Sequence, residues 1–365
     1  MSEQLETVRS QGNAAPARQG ILDADVHPVP AGPDEVRAYM DMPWRERFAG
    51  EKRTFYLPVH GTGRKDAVPP AGGPPGSDPS FMRAQLLEEY GVAHAILICR
   101  TFCNIHPDAD YAAAIASAHN RWLAERWLEQ HNGDGAFKGS ITVAQQDPQL
   151  AAAEIDRWAG HPHMVQVTMD SGARAPFGQR FYHPIYEACE RHRLPLALHP
   201  GTEGMGINHQ PSPGYPSHYI EWHTNMALSF QAHLTSLLCE GVFERFPGLR
   251  VVFVEGGIAW LAPLMWRLDS HWRSLRPEVP WVRRRPSEYL PEHVRLTTQP
   301  LERPERDEDL LALMEMMDAE RLLMFSSDYP HWDFDSPRRA FPRLPPRLHE
   351  AIFSANARAF YDLPG

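Results

Sequence analysis

Four hydrophobic runs, far apart in the chain, each end on a residue that binds metals. They are Asp23-Ala24-Asp25-Val26-His27, Leu196-Ala197-Leu198-His199, Val252-Phe253-Val254-Glu255 and Phe325-Ser326-Ser327-Asp328. A strand that runs apolar through a core and stops on His, Asp or Glu delivers that side chain to the mouth of a parallel barrel, where catalytic groups sit. In a strand, residues i and i+2 share a face, so Asp25 and His27 project together from one rigid element. Imidazole suits zinc, iron, cobalt or nickel, and carboxylates pull the preference toward harder ions such as manganese. A metal with one open position lowers the pKa of bound water to about 7. A second carboxylate nearby can take that proton and return it to a leaving group. A single strand-end Asp is commonly a helix cap or a turn former. Four such residues, converging in the order of a closed barrel, read as one mononuclear metal site and hence as an enzyme.

The elements that must position these residues alternate along the chain. Strands are expected at 20–27, 93–99, 137–143, 164–169, 194–199, 250–255, 294–298 and 322–327. Helices are expected at 83–90, 109–131, 148–158, 182–192, 219–246, 260–275 and 347–363, with a partly helical stretch at 301–318. Strand–helix alternation at this spacing argues for a parallel sheet, and eight strands close a barrel. The fold class expected is α/β, a distorted (β/α)8 TIM barrel: one domain over 20–365, with long loop insertions and a disordered tail at 1–19. Residues 28–80 form a long connection whose aromatic and charged residues (Trp44, Phe48, Phe55, Tyr56, His60) suggest a cover. Its 61–78 part, rich in Pro and Gly, is expected to be loose and protease-sensitive.

The same residues carry a family resemblance. Asp23-x-Asp25-x-His27, Leu198-His199-Pro200-Gly201, Val254-Glu255-Gly256-Gly257-Ile258-Ala259-Trp260 and Ser327-Asp328-Tyr329-Pro330-His331 resemble the amidohydrolase-related branch of the amidohydrolase superfamily, which includes aminocarboxymuconate-semialdehyde decarboxylase. The segments 241–249 (Gly-Val-Phe-Glu-Arg-Phe-Pro-Gly-Leu) and 354–361 (Ser-Ala-Asn-Ala-Arg-Ala-Phe-Tyr) add to it, and the similarity spans about 20–363. It implies a distorted TIM barrel with one divalent metal, usually zinc, although manganese, iron or cobalt also fits the donors. By position, Asp25, His27, His199 and Asp328 match the family's ligand places. The chain departs from the pattern twice. Asp25 replaces the first His of the usual His-x-His pair, and Glu255 stands where the decarboxylases carry a His before Gly-Gly. The fourth strand has no lysine to bridge two metals.

With Glu255 in that place, the first reading is a metal-dependent hydrolase acting on a small aromatic or unsaturated carboxylate, amide or lactone. Glu255 would handle the proton, with help from His223, and Asp328 would share in proton transfer. The alternative on the same scaffold is nonoxidative decarboxylation. A reading from another class is a metal-binding protein without catalysis. Arg100, just after the second strand, could pair with a substrate carboxylate, and His331 and Trp332 would line the pocket. Tyr56, Trp44 and Trp260 could form an aromatic wall.

Composition bounds the partners. With 36 basic and 46 acidic residues the net charge is -10. No dense basic run offsets it, which argues against nucleic acid or an anionic membrane as partner. No apolar run reaches transmembrane length, and the N-terminus lacks the apolar core of a signal peptide. Four cysteines without a zinc-type pair suit reduced thiols and a cytoplasmic location. A homodimer is left open.

Overall fold

The computed structural model describes residues 20–50, 59 and 61–364. Eight strands, β1 (Ile21–Val26), β2 (Val92–Leu97), β3 (Phe137–Thr142), β4 (Met164–Asp170), β5 (Leu196–His199), β6 (Val251–Phe253), β7 (Val294–Thr297) and β8 (Leu323–Met324), lie in chain order in one sheet. Each pairs in parallel with the next. Beyond the short β8 the chain turns back onto β1: Ala24 N–H donates to Phe325 O (2.9 Å), His27 N–H to Tyr329 O (2.7 Å) and Asp328 N–H to Asp25 O (3.1 Å). The sheet is therefore a nearly closed TIM-type barrel, as the alternation indicates. Strands β2 and β3 are buried along their whole length, as a parallel sheet covered on both faces requires.

Local chemistry sets where the helices begin. Asp108 caps the helix Ala109–Trp122 through Tyr111 N–H (3.1 Å), and Asp147 caps Pro148–Trp158 through Gln149 and Leu150. The single helix expected over 219–246 is broken into Tyr219–Thr224, Ala227–Cys239 and Val242–Arg245. The last break falls at Gly241, whose φ of 70° leaves the helical region. A smaller core cluster joins β1, β2, β5, β6 and β8 to Ala357, Phe360 and Tyr361 of the C-terminal helix.

The expectation of a loose 61–78 segment is not met by its packing. Arg64 N–H donates to Pro330 O (2.8 Å), Trp332 N–H to Thr62 O (2.9 Å) and Val29 N–H to Gly76 O (3.0 Å). Proline removes donors here but does not remove contacts, and the segment is tied to the ends of β1 and β8. Gly76 shows how tightly: at φ +82°, a Cβ there would stand 2.6 Å from His27 O. Of the cover residues, Phe55, Tyr56 and His60, like the tail 1–19, lie outside the described residues.

Candidate active site

β1 ends by placing Asp25 and His27 together, and β5 brings His199 to them. Glu255 follows β6, and Asp328 follows β8. His27 Nε2 lies 3.2 Å from Asp25 Oδ1 and 2.9 Å from Asp328 Oδ1; His199 Nε2 lies 2.9 Å from Glu255 Oε2 and 3.6 Å from Asp25 Oδ2. All five are buried. Two overlapping donor sets result, Asp25–His27–His199–Glu255 and His27–Glu255–Asp328–His331, each within 4.8 Å. Sequence reasoning expected four of these residues as ligands and Glu255 beside them, and the fold brings all five together.

The donors fit a cation. Both oxygens of Asp25, His27 Nε2 and His199 Nε2 are buried without a hydrogen bond. Buried polar atoms are rarely left so, because the desolvation cost is unmatched. His27 Nδ1 sits 2.9 Å from Ile98 O, so it carries the proton and Nε2 turns a lone pair toward carboxylate oxygens. Lone pairs facing carboxylates repel unless a positive charge stands between them. Without a metal the chain supplies that charge itself. Burial and Arg100 act to lower His199, but Asp25 and Glu255 raise it to about 9. Burial acts to raise Glu255, yet His199, His331 and Arg100 outweigh it and hold it at about 2. Burial, then the carboxylates of Glu255, Asp333 and Asp25, push Asp328 well above the usual range. Burial and the neighbouring His331 drive His27 well down.

Backbone strain marks the same place. Glu255 (φ 61°) and Asp328 (φ 57°) both adopt the left-handed region, which non-glycine residues seldom do outside functional sites. Each kink lies a few residues past its strand, where the carboxylate joins the cluster at the mouth.

The other expected residues fall around this centre. Arg100 Nη1 lies 2.7 Å from His199 Nδ1 and 3.4 Å from Asp170 Oδ1, and Nη2 donates to Pro200 O (2.7 Å). It braces His199 while also lining the pocket. Gly201 makes room for it, since a Cβ there would meet Arg100 Nη2 at 2.3 Å. His331 Nδ1 is 2.7 Å from Asp328 Oδ1. Trp332, half exposed, donates from Nε1 to Tyr219 OH (3.1 Å). His223 does not reach the centre; its Nε2 lies 3.1 Å from Asp333 Oδ2. Trp260 packs against Phe230 and Phe253, and Trp44 against Tyr111; neither lines the pocket, so the expected aromatic wall is built from other residues.

That wall is Phe102, Tyr219, Trp222 and Trp332, on a cavity that also exposes Arg100, Glu203, Glu255, His331 and Asp333. Sequence reasoning missed Gln299, whose Nε2 lies 3.2 Å from Asp328 Oδ2 and 2.9 Å from Asp333 Oδ2. A polar residue two positions after the strand Val294–Thr297 was its signal. It also missed the support given by Asp23, whose Oδ1 accepts from Ser327 N–H (2.9 Å) and Asp25 N–H (3.3 Å).

The pattern of the amidohydrolase family matches residues 22–363. The chain belongs to that family. It is an enzyme of the amidohydrolase superfamily, hydrolase or carboxy-lyase. Gamma-resorcylate decarboxylase of a Polaromonas species is 28% identical over 269 residues, covering 69% of this chain and 77% of the relative. Among solved structures, 5-carboxyvanillate decarboxylase of Novosphingobium aromaticivorans, complexed with manganese and 4-hydroxy-3-methoxy-5-nitrobenzoic acid, has a TM-score of 0.67 at 18% identity over 100% of both chains. 2,6-Dihydroxybenzoate decarboxylase from Rhizobium gives 0.64 at 19%, covering 95% of this chain and 100% of its own. At such identity the solved structures show the fold. The donor cluster supports a divalent metal site. The relatives favour the alternative reading, decarboxylation, over the hydrolysis expected first. No helix among the described residues is long and apolar enough to cross a membrane.

Proposed function

We propose that the protein is a metal-dependent, nonoxidative decarboxylase of a small aromatic acid. The pocket carries this reading. Phe102, Tyr219, Trp222 and Trp332 line one cavity together with Glu255, His331 and the Arg100 guanidinium. Flat walls select a ring, and a cationic end selects its carboxylate. The relatives' substrates, as their names state, are of this class.

In this reading Asp25, His27, His199 and Asp328 hold one divalent ion. Two carboxylates and two imidazoles, with the Glu255 carboxylate beside them, make a set hard enough to favour manganese over the zinc expected first. The metal, when bound, would orient the acid and withdraw charge from it. Arg100 braces His199 and faces the carboxylate. The ring carbon bearing the carboxylate must gain a proton before its C–C bond breaks. Asp328, paired with His331, stands in place to deliver it. The bond's electron pair then restores the ring, CO2 leaves, and one proton has been consumed. The Asp328–His331 pair then regains its proton from solvent, with Glu255 the carboxylate that relays it.

The test is product mass and gas. Purified protein loaded with manganese or zinc is incubated with a panel of hydroxybenzoates bearing labelled carboxyl carbon. Labelled CO2 with the matching decarboxylated ring is expected. Turnover confined to lactones or amides, with products heavier by one water and no CO2, overturns the proposal. Glu255 favours that second reading, since a carboxylate 2.9 Å from His199 Nε2 can take a proton from water.

A further inference from the structure

The pocket contains more negative charge than an aromatic acid should tolerate. Glu203, Glu255 and Asp333 all line it, against the single guanidinium of Arg100. Two of the three are engaged. Glu255 faces His199 at 2.9 Å, and Asp333 accepts from Gln299 Nε2 (2.9 Å) with His223 Nε2 at 3.1 Å. Glu203 differs. Its Oε1 is held by Gly201 N–H (3.1 Å) and by the Ser171 hydroxyl, which Ser229 Oγ approaches at 3.2 Å. Its Oε2 is buried and takes no hydrogen bond, and the residue is only 3% exposed.

A carboxylate fixed through one oxygen, with the other desolvated and unmatched, is costly unless a ligand completes it. Oε2 is acceptor-only, so the completing group must be a donor. Glu203 lines the pocket with aromatic walls and a cationic end, where this acceptor would add a second recognition point for the ring.

We infer that Glu203 sets substrate specificity by accepting a hydrogen bond from a donor on the ring, a phenolic hydroxyl or an aromatic amine, other than the group beside the carboxylate. The substrate class narrows to aromatic acids with such a donor, an inference that rests on the proposed decarboxylase reading. Nothing in the motif residues signals this role, because Glu203 lies in the loop after β5, four residues beyond the strand's last pair.

The experiment measures binding and turnover separately on the metal-loaded enzyme. The probes are salicylates carrying a second hydroxyl, an amino group, a methoxy group or no further group at each remaining ring position. Binding is read from quenching of the pocket tryptophans Trp222 and Trp332, and turnover from CO2 release. Wild type should bind one donor-bearing salicylate about 10- to 100-fold more tightly than its methoxy or unsubstituted counterpart, the range for a charge-assisted bond to a buried carboxylate. Comparing the hydroxyl and amino arms tells which donor it is. In Glu203→Gln the amide oxygen can keep Gly201 and Ser171 while the amide NH2 replaces the acceptor, so the preference should reverse toward methoxy. Metal content and Tm of the variant should match wild type. An unchanged donor preference in Glu203→Gln, or none in wild type, overturns the inference. Decarboxylation without any donor preference would leave the proposed function standing and remove this one. A reversible donor preference without CO2 release would do the opposite.

Discussion

At the scale of single residues, Glu255 decides how far the chemistry departs from that of its relatives. It occupies a strained backbone conformation beside His199, and strain of this kind persists only where the surroundings enforce it. If it acts as a base, Glu255→Gln should keep metal and lower turnover by about 10²–10⁴-fold. If it is a ligand, metal content should fall first. Near-wild-type values in both assays would remove it from the mechanism. His199 is different, because its Nε2 faces carboxylates alone, Glu255 at 2.9 Å and Asp25 at 3.6 Å. His199→Ala should lose metal and activity together while far-UV circular dichroism stays native, since the barrel core does not rest on that side chain. A fully metallated, active variant would sink the ligand assignment.

At the scale of elements, two contacts make measurable demands. Gly76 lets the 61–78 segment press on the end of β1, with room for no Cβ near His27 O. Gly76→Ala adds both that clash and an unfavourable φ of +82°. It should lower Tm and weaken metal binding, because His27 is the residue displaced; an unchanged metal affinity would show that the segment does not support the site. The helix Ala227–Cys239 places His233 against the 171–177 loop. Its Nε2 is 2.8 Å from Ser171 O and its Nδ1 accepts from Phe177 N–H (3.2 Å), so the neutral tautomer satisfies both partners. Burial lowers its pKa from 6.5 to about 4. The folded state thus refuses a proton that the unfolded chain accepts. The stability due to neutral His233 is complete above pH 6.5 and is lost as pH falls from there toward 4. The loss amounts to roughly 3 kcal/mol across that window. Urea unfolding of wild type and His233→Gln should show a shallower acid limb in the variant; parallel limbs would place the titration elsewhere.

At the scale of the whole molecule, the metal and the fold support each other. Strand ends from opposite sides of the barrel, β1, β5, β6 and β8, converge on one cluster of buried carboxylates and imidazoles. Their repulsion opposes closure, and a cation relieves it. Free metal at about 100 times its Kd should add about 2.7 kcal/mol to unfolding. Chelation should therefore lower Tm, and adding back the ion that metal analysis finds should restore it. A Tm indifferent to chelator would mean that the cluster is stable without a cation.

Apolar runs ending on His, Asp or Glu, alternating with helices, were enough to specify an eight-stranded barrel and to nominate Asp25, His27, His199, Glu255 and Asp328. Both features are local: apolar runs and strand ends are written in consecutive residues. Helix length was less legible, because the break at Gly241 needs a left-handed turn that periodicity over 219–246 does not reveal. The tying down of 61–78 was not legible either, since proline and glycine content describes a chain's freedom but not the partners it meets. Only the tertiary structure could recruit Glu203, Gln299, Asp333 and the walls Phe102, Tyr219 and Trp222. These come from segments that follow different strands, and which segments face one another across the barrel mouth follows from closure, not from any neighbouring residue. Substrate choice lives in those loops, so the chain's sequence announces the metal, and the fold announces what is held beside it.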